Sequence, residues 1–241
     1  MARPLVLLHG FTQTGRSWDA VRRELGGDVL APDLRGHGAA TERRPIDTGH
    51  LVADVLALAP ARFVLAGYSM GGRLALHVAL APRRGEWPDW CSSRPRPASS
   101  PPRSGRRGGR PTTRWPTRSR RPASRRSPHA GPPSRCGPGS RLPCAAPRRR
   151  RRRRQDPAGL AASLRGFGTG AMAPVWDRLG ELTMPAVVLA GERDAKFRAI
   201  GERLAAALPA ARLVVVPAAG HALTLEAPGA VAAELAAVAG R

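Results

Sequence analysis

The stretch Gly67-Tyr68-Ser69-Met70-Gly71-Gly72 decides the fold of this 241-residue chain. It follows an apolar run at 63–66 and precedes a run of leucine, valine and alanine that ends at 80, so the order is strand, sharp turn, helix. In a G-x-S-x-G turn the glycines let the backbone bend tightly, and the serine stands above the sheet at a helix N-terminus that favours a developing anion. The same letters also fit an ordinary turn with a capping serine, so the rest of the chain must decide.

Short apolar runs alternate with helical patterns on both sides of this turn. Strands are predicted at 4–8, 28–31, 63–66, 185–190 and 212–216. Helices are predicted at 17–25, 47–58, 73–80, 156–165, 197–208 and 228–238. This alternation predicts an α/β fold with a mostly parallel sheet and helices on both of its faces.

An arginine-rich segment interrupts the pattern between Arg83 and Arg154. The segment contains 23 arginines and only two acidic residues, Glu86 and Asp89. It therefore supplies +21 of the formal net charge of +23. Leu142 is its one aliphatic side chain larger than alanine, which predicts disorder because little apolar surface can be buried. The chain therefore divides into the N-terminal half of a core at 1–82, this Arg/Pro-rich segment at 83–154, and the C-terminal half at 155–241.

Composition also excludes several classes of protein. The three cysteines, Cys91, Cys136 and Cys144, form no CxxC pair and have no histidine at metal-ligand spacing, so neither a disulfide framework nor a metal site is expected. The first apolar run is too short for a signal peptide or a membrane span. These features predict a cytoplasmic protein that acts on a small molecule, without a membrane partner; the sequence does not determine its oligomeric state.

Three polar residues follow predicted strands at their carboxyl ends: Ser69, Asp194 and His221. In an open parallel sheet, binding sites form at that edge. Taken singly, Asp194 fits a turn carboxylate and His221 a loop histidine. Together they provide a hydroxyl, an imidazole that makes it basic and a carboxylate that holds the imidazole, in the chain order that this fold uses. The sequence therefore predicts a catalytic triad.

The loop after the first strand adds a further element. The N–H groups of Phe11 and Met70 are predicted to point to one place and to form an oxyanion hole, which stabilises negative charge in the transition state. His9 is interpreted as a structural loop histidine, and His37 as a turn residue.

These motifs carry a family resemblance. The chain resembles the α/β-hydrolase superfamily and, within it, the family of 2-succinyl-6-hydroxy-2,4-cyclohexadiene-1-carboxylate synthases of menaquinone biosynthesis. The resemblance covers about 4–81 and 156 to the end. The stretches that carry it are Leu8–Thr12, Gly67–Arg73, Leu164–Gly170, Gly191–Phe197 and Gly220–Ala222.

The resemblance implies a lyase, not a hydrolase. The Ser–His pair would remove a proton next to the succinyl ketone, the oxyanion hole would hold the enolate, and pyruvate would be eliminated. Arg73, directly after the turn, would pair with a substrate carboxylate, a task suited to its planar guanidinium; alternatively it is a solvated helix residue. The resemblance implies no cofactor and no metal.

Residues 83–154 depart from this family, which has a further strand and most of a helical lid there; the part at 155–241 would comprise a lid remnant and the C-terminal half of the core. When the codons of residues 86–92 are read from the third base of each preceding codon, they encode Val or Met, Ala, usually Arg or Gly, Leu, Val, and Leu or Phe, which is typical of a buried strand. We hypothesise a frame shift near Arg83 and a compensating one within Arg148–Arg154. Whether it is a sequencing error or a real mutation is open.

Three alternatives remain at this stage. The chain could be an esterase or a carbon–carbon bond hydrolase that keeps Ser69, Asp194 and His221 but does not depend on Arg73. It could be an inactive product with a polycationic insert. The insert could instead bind RNA, but it lacks interleaved Phe or Tyr for base stacking and any nucleic-acid-binding motif, so no specific nucleic-acid partner is expected.

Overall fold

A computed structural model describes residues 3–81 and 155–240, which belong to one compact unit. Within these residues the strands are β1 Leu5–Leu8, β2 Val29–Leu30, β3 Val64–Gly67, β4 Ala186–Gly191 and β5 Ala211–Val216. The α-helices are α1 Asp19–Leu25, α2 Thr48–Leu58, α3 Met70–Ala79, α4 Pro157–Phe167, α5 Ala195–Ala207, α6 Leu223–Glu226 and α7 Pro228–Ala239. Short 3-10 helices occupy Gly15–Trp18, Gly38–Ala40 and Trp176–Glu181.

The strands pair in parallel, in two groups. In the first group β1 lies between β2 and β3, with Leu5 opposite both Val29 and Val64. In the second group β4 pairs with β5 over its full length. Each strand continues into a helix before the next strand of its group, which confirms the predicted α/β alternation. The segment at 83–154, with its predicted disorder, degraded lid and frame-shifted strand, lies outside the described residues.

Strand β1 shows why helices cover both faces of the sheet. Its four side chains are all buried, and successive side chains point to opposite faces. Leu5 and Leu7 pack with α1 and α7, whereas Val6 and Leu8 pack with α2 and α3. Burial of each such side chain stabilises the fold by about 1.5–3 kcal/mol. The predicted two-sided helical cover is confirmed.

Aspartates begin three of the helices. Asp47 accepts a hydrogen bond from the His50 N–H at 2.9 Å at the start of α2, and Asp156 accepts one from the Gly159 N–H at 2.7 Å at the start of α4. Each carboxylate satisfies an N–H group that has no partner inside its helix. Asp194 caps α5 in the same way, and the helix begins at Ala195, two residues before the predicted start at Phe197. The four-residue α6 was missed, since it has neither a side-chain cap nor a full apolar repeat.

Gly71 lets the helix after the turn pack against the end of β1. A Cβ at this position would overlap the Leu8 carbonyl group and would lie 2.7 Å from the His9 carbonyl oxygen. We expect Gly71→Ala to lower the free energy of unfolding by about 1–3 kcal/mol, because backbone on both sides prevents relaxation. Gly229→Ala is the matched control: it adds a Cβ in open space in a helix and should be neutral or slightly stabilising. Urea denaturation compares the two; equal effects would show that Gly71 is not a packing position.

Candidate active site

Ser69 occupies the sharp turn between β3 and α3. Its backbone has φ 53° and ψ −108°, a left-handed conformation that is unfavourable for a residue with a side chain. The Tyr68 N–H donates to the Leu8 carbonyl at 2.9 Å, and the Gly71 N–H donates to the Tyr68 carbonyl at 2.9 Å. These bonds fix the turn against β1, and the serine is thereby held at the carboxyl end of the sheet.

The structure brings the three predicted triad residues together. His221 Nδ1 lies 2.7 Å from Asp194 Oδ2, and His221 Nε2 lies 3.3 Å from Ser69 Oγ. Because the carboxylate can only accept, Nδ1 carries the imidazole proton, and Nε2 is free to accept the Ser69 hydroxyl proton. The Asp194 side chain is 14% exposed, while that of His221 is 40% exposed. The imidazole is therefore fixed on one side and open to a ligand on the other.

Two aromatic rings flank His221. The Phe197 ring centroid lies 4.2 Å from that of the imidazole, and the Tyr68 ring centroid lies 5.3 Å from it. The Phe197 N–H also donates to Asp194 Oδ1 at 3.2 Å, so this residue positions both partners of Ser69. The roles of Phe197 and Tyr68 were missed in the sequence reasoning. In the sequence, Phe197 is indicated only by its place at the end of the Arg193–Phe197 run, which is part of the stretch that carries the family resemblance.

The two N–H groups predicted for the oxyanion hole lie at turns that flank Ser69 in the fold. Phe11 follows β1, and Met70 is the first residue of α3. Neither N–H donates a hydrogen bond within the part of the chain that the structure describes. Thr12, next to Phe11, has φ 63°, which is strained for a β-branched residue. Each turn thus contains one residue with unfavourable backbone, Thr12 or Ser69. Each also has one N–H group, that of Phe11 or Met70, without a partner in the described residues.

Arg73 lies one turn beyond Ser69 on α3, so both residues lie on one side of the helix. Its Nη1 atom is buried and has no hydrogen-bond partner among residues 3–81 and 155–240. Burial lowers the pKa of the Arg73 guanidinium from its ordinary value, although it stays charged. A buried donor without a partner is costly, which makes this group ready to bind an anion.

His9 and His37 form a buried pair beside Phe11. Both side chains are fully buried, their ring centroids are 5.1 Å apart, and the Phe11 ring lies edge-on to His37 at 5.7 Å. His9 Nε2 accepts a hydrogen bond from the Leu34 N–H at 2.9 Å, and Nδ1 lies 2.9 Å from the Gly10 carbonyl oxygen. Burial lowers the pKa of His9 to about 4 and also lowers the pKa of His37. His9 is thus structural, as predicted, and His37 lies in the predicted turn.

The low pKa of His9 predicts a pH dependence of stability. Between the ordinary pKa of 6.5 and the folded value of about 4, the unfolded chain binds a proton that the folded chain excludes. Stability is therefore fully present above pH 6.5 and falls as the pH drops toward 4, by on the order of 3 kcal/mol. Burial of His37 acts in the same direction, while the charge of nearby Asp33 opposes both shifts.

Urea denaturation at several pH values between 7 and 4 measures this effect. The His9→Asn variant serves as the control because it removes the titrating group, and its free energy of unfolding should fall less steeply with pH. Parallel curves for the wild type and the variant would show that His9 titrates normally in the folded chain.

The described residues offer no group of three or more His, Cys, Asp or Glu side chains that could hold a metal ion. A search of the same residues finds no helix long and apolar enough to cross a membrane.

Comparison with known proteins places the chain in a family. The model of the alpha/beta hydrolase family matches residues 5–234. The chain is 31% identical to the 2-succinyl-6-hydroxy-2,4-cyclohexadiene-1-carboxylate synthase of Salmonella agona, over 98% of this chain and 93% of that protein. It is 41% identical to the pimeloyl-[acyl-carrier protein] methyl ester esterase of Vibrio parahaemolyticus, over 33% of this chain and 32% of that protein.

The solved structures agree on the fold. The structure of MenH from S. aureus matches with a TM-score of 0.67 at 21% identity and covers 98% of this chain and 92% of that one. The family match and this structural likeness confirm the predicted fold, and the synthase match confirms the predicted resemblance. The chain belongs to the alpha/beta hydrolase family.

Proposed function

We propose that the chain is a lyase of menaquinone biosynthesis. Its substrate would be 2-succinyl-5-enolpyruvyl-6-hydroxy-3-cyclohexene-1-carboxylate, and its products 2-succinyl-6-hydroxy-2,4-cyclohexadiene-1-carboxylate and pyruvate. The observation that carries the proposal is the buried Nη1 of Arg73, which has no partner among the described residues and lies one helical turn from the Ser69–His221 pair. A substrate with several carboxylates would provide the anion that this guanidinium lacks. The match to the Salmonella agona synthase supports the same reaction.

The proposed reaction is a proton abstraction followed by elimination. His221 Nε2 accepts the Ser69 proton, and the serine oxygen removes the ring proton next to the succinyl ketone. The resulting enolate is held by the N–H groups of Phe11 and Met70. Its electrons move through the ring double bond, which gives the 2,4-diene and breaks the carbon–oxygen bond to the enolpyruvyl group. The leaving enolate takes up a proton and is released as pyruvate. Asp194 stabilises the imidazolium between the two steps.

An esterase is the second candidate, because the Vibrio parahaemolyticus relative is named as one and the same triad performs ester hydrolysis. In that case the serine oxygen attacks an ester carbonyl, and Arg73 has no carboxylate to bind. The two candidates therefore differ in their dependence on Arg73. The third possibility, an inactive product, predicts no turnover of either substrate.

The test uses two proteins. One is the 241-residue chain itself, and the other is a frame-restored chain, in which the codons between Arg83 and the Arg148–Arg154 run are read from the third base of the preceding codon. Both are incubated with the enolpyruvyl precursor, and pyruvate is measured with lactate dehydrogenase. We expect pyruvate release from the frame-restored chain. Hydrolysis of p-nitrophenyl acetate without pyruvate release would favour the esterase.

A further inference from the structure

We propose that His9 is a positioning residue for the oxyanion hole: its ring holds the Gly10–Phe11 peptide so that the Phe11 N–H faces Ser69. The inference rests on the triad of the proposed function but not on the identity of its substrate. It assigns a task to a buried histidine that contacts neither Ser69 nor His221 in the described hydrogen bonds.

The proton on the His9 ring is fixed by its neighbours. The Leu34 N–H can only donate, so His9 Nε2, 2.9 Å away, must be the bare acceptor. The ring is fully buried and neutral, and its one proton is therefore on Nδ1. Nδ1 then donates to the Gly10 carbonyl at 2.9 Å.

The Gly10 carbonyl and the Phe11 N–H belong to one planar trans peptide group. In such a group the C=O and the N–H point in opposite directions. A bond that draws the Gly10 oxygen toward the buried imidazole must therefore turn the Phe11 N–H away from it. The Gln13 N–H donates to the same oxygen at 3.1 Å, so the carbonyl is held by two donors.

Residues of the serine turn pack against this part of the loop. The Tyr68 ring lies against Gly10, where an added Cβ would be 2.7 Å from the ring, and Gly71 packs on the His9 carbonyl. The Phe11 side chain is held as well, since its ring meets His37 edge-on. The His9 ring thus holds the Gly10 carbonyl, while Tyr68, which precedes Ser69 in the chain, packs against Gly10.

A fluorophosphonate probe tests this role in the 241-residue chain. Ser69 Oγ bonds to phosphorus, its proton passes to His221, fluoride leaves, and the phosphonyl oxygen takes the place of an oxyanion. The rate constant of labelling thus measures how well the oxyanion hole stabilises this oxygen, and it does not require lyase turnover. His9→Asn keeps an amide donor at the position of Nδ1. His9→Gln places its amide near the position of Nε2, where its oxygen can accept the Leu34 N–H, and leaves no donor at the position of Nδ1.

We expect His9→Gln to label at least about 10-fold more slowly than the wild type, and His9→Asn to recover the rate to within about fivefold. Melting temperatures of both variants show whether they are folded. Equal rates in the two variants, or faster labelling of His9→Gln, would overturn the proposal and leave His9 as a simple tie between loops.

One measurement needs no variant: the 15N shifts of the His9 ring in the wild type at pH 7 should show a proton on Nδ1 and none on Nε2. The opposite tautomer would overturn the proposal. A frame-restored chain that does not label would refute Ser69 as the nucleophile, and with it both the proposed function and this inference. A frame-restored chain that labels normally but releases no pyruvate would refute the lyase alone.

Discussion

Replacement of Ser69 by alanine is expected to lower kcat for pyruvate release from the frame-restored chain by on the order of 10⁴- to 10⁶-fold. The reason is geometric: His221 Nε2 lies 3.3 Å from Ser69 Oγ, and no other hydroxyl is hydrogen-bonded to it in the described residues. The variant should remain folded, because Ser69 Oγ makes no cap bond to α3.

Replacements of the other two members should behave as parts of the same unit. His221→Ala and Asp194→Asn should each remove most of the activity, and adding either one to Ser69→Ala should cost little more, since residues that act together are not additive. Ser17→Ala is the matched control: Ser17 Oγ is buried and, unlike Ser69 Oγ, has no hydrogen-bond partner in the described chain, so its removal should leave kcat unchanged. Wild-type turnover in any triad variant would remove that residue from the mechanism.

Arg73→Ala in the frame-restored chain is expected to lower kcat/KM for the tricarboxylate substrate by about 10- to 100-fold, the effect of losing a hydrogen bond to a charged group. Hydrolysis of a small neutral ester should change little, because that substrate has no carboxylate to pair. Arg73→Lys should recover the rate only in part, since an ammonium cannot bind a carboxylate through two parallel bonds.

Two comparisons separate this role from a structural one. Arg23→Ala removes an exposed arginine from α1 and should not affect kcat/KM. Arg73→Met should not lower the free energy of unfolding, because it removes a partly buried donor that lacks a partner in the described residues. An equal loss on the ester and on the tricarboxylate would show that Arg73 supports the serine turn, and the lyase proposal would lose its basis.

Much of the core could be predicted because local patterns and tertiary packing agree. The apolar run at β1 is buried on both sides, and the regular spacing of Leu51, Val55 and Leu58 marks α2, although Leu58 itself is exposed at the helix end. The predicted strand ends alone put Ser69, Asp194 and His221 at one edge of the sheet. In an open parallel sheet, sites form at the carboxyl ends of the strands, so only the order and direction of the strands are needed. The sequence pattern supplies both.

Other features depend on side-chain geometry that no spacing rule describes. The contact of Phe197 with His221 depends on how α5 begins after Asp194, and the lack of a partner for Arg73 Nη1 among the described residues depends on the surroundings of α3. The link from His9 to Gly10 requires knowing which ring nitrogen faces Leu34. In each case residues far apart in the chain must be placed to within an ångström.

Pyruvate release from the enolpyruvyl precursor is the most direct measurement of the central proposal, that the Ser69 site with Arg73 performs an elimination. The frame-restored chain should release one pyruvate per molecule of 2,4-cyclohexadiene product, and its Ser69→Ala variant should release none above background. Hydrolysis of p-nitrophenyl acetate that depends on Ser69, with no pyruvate formed from the precursor, would contradict the lyase and assign the site to ester hydrolysis.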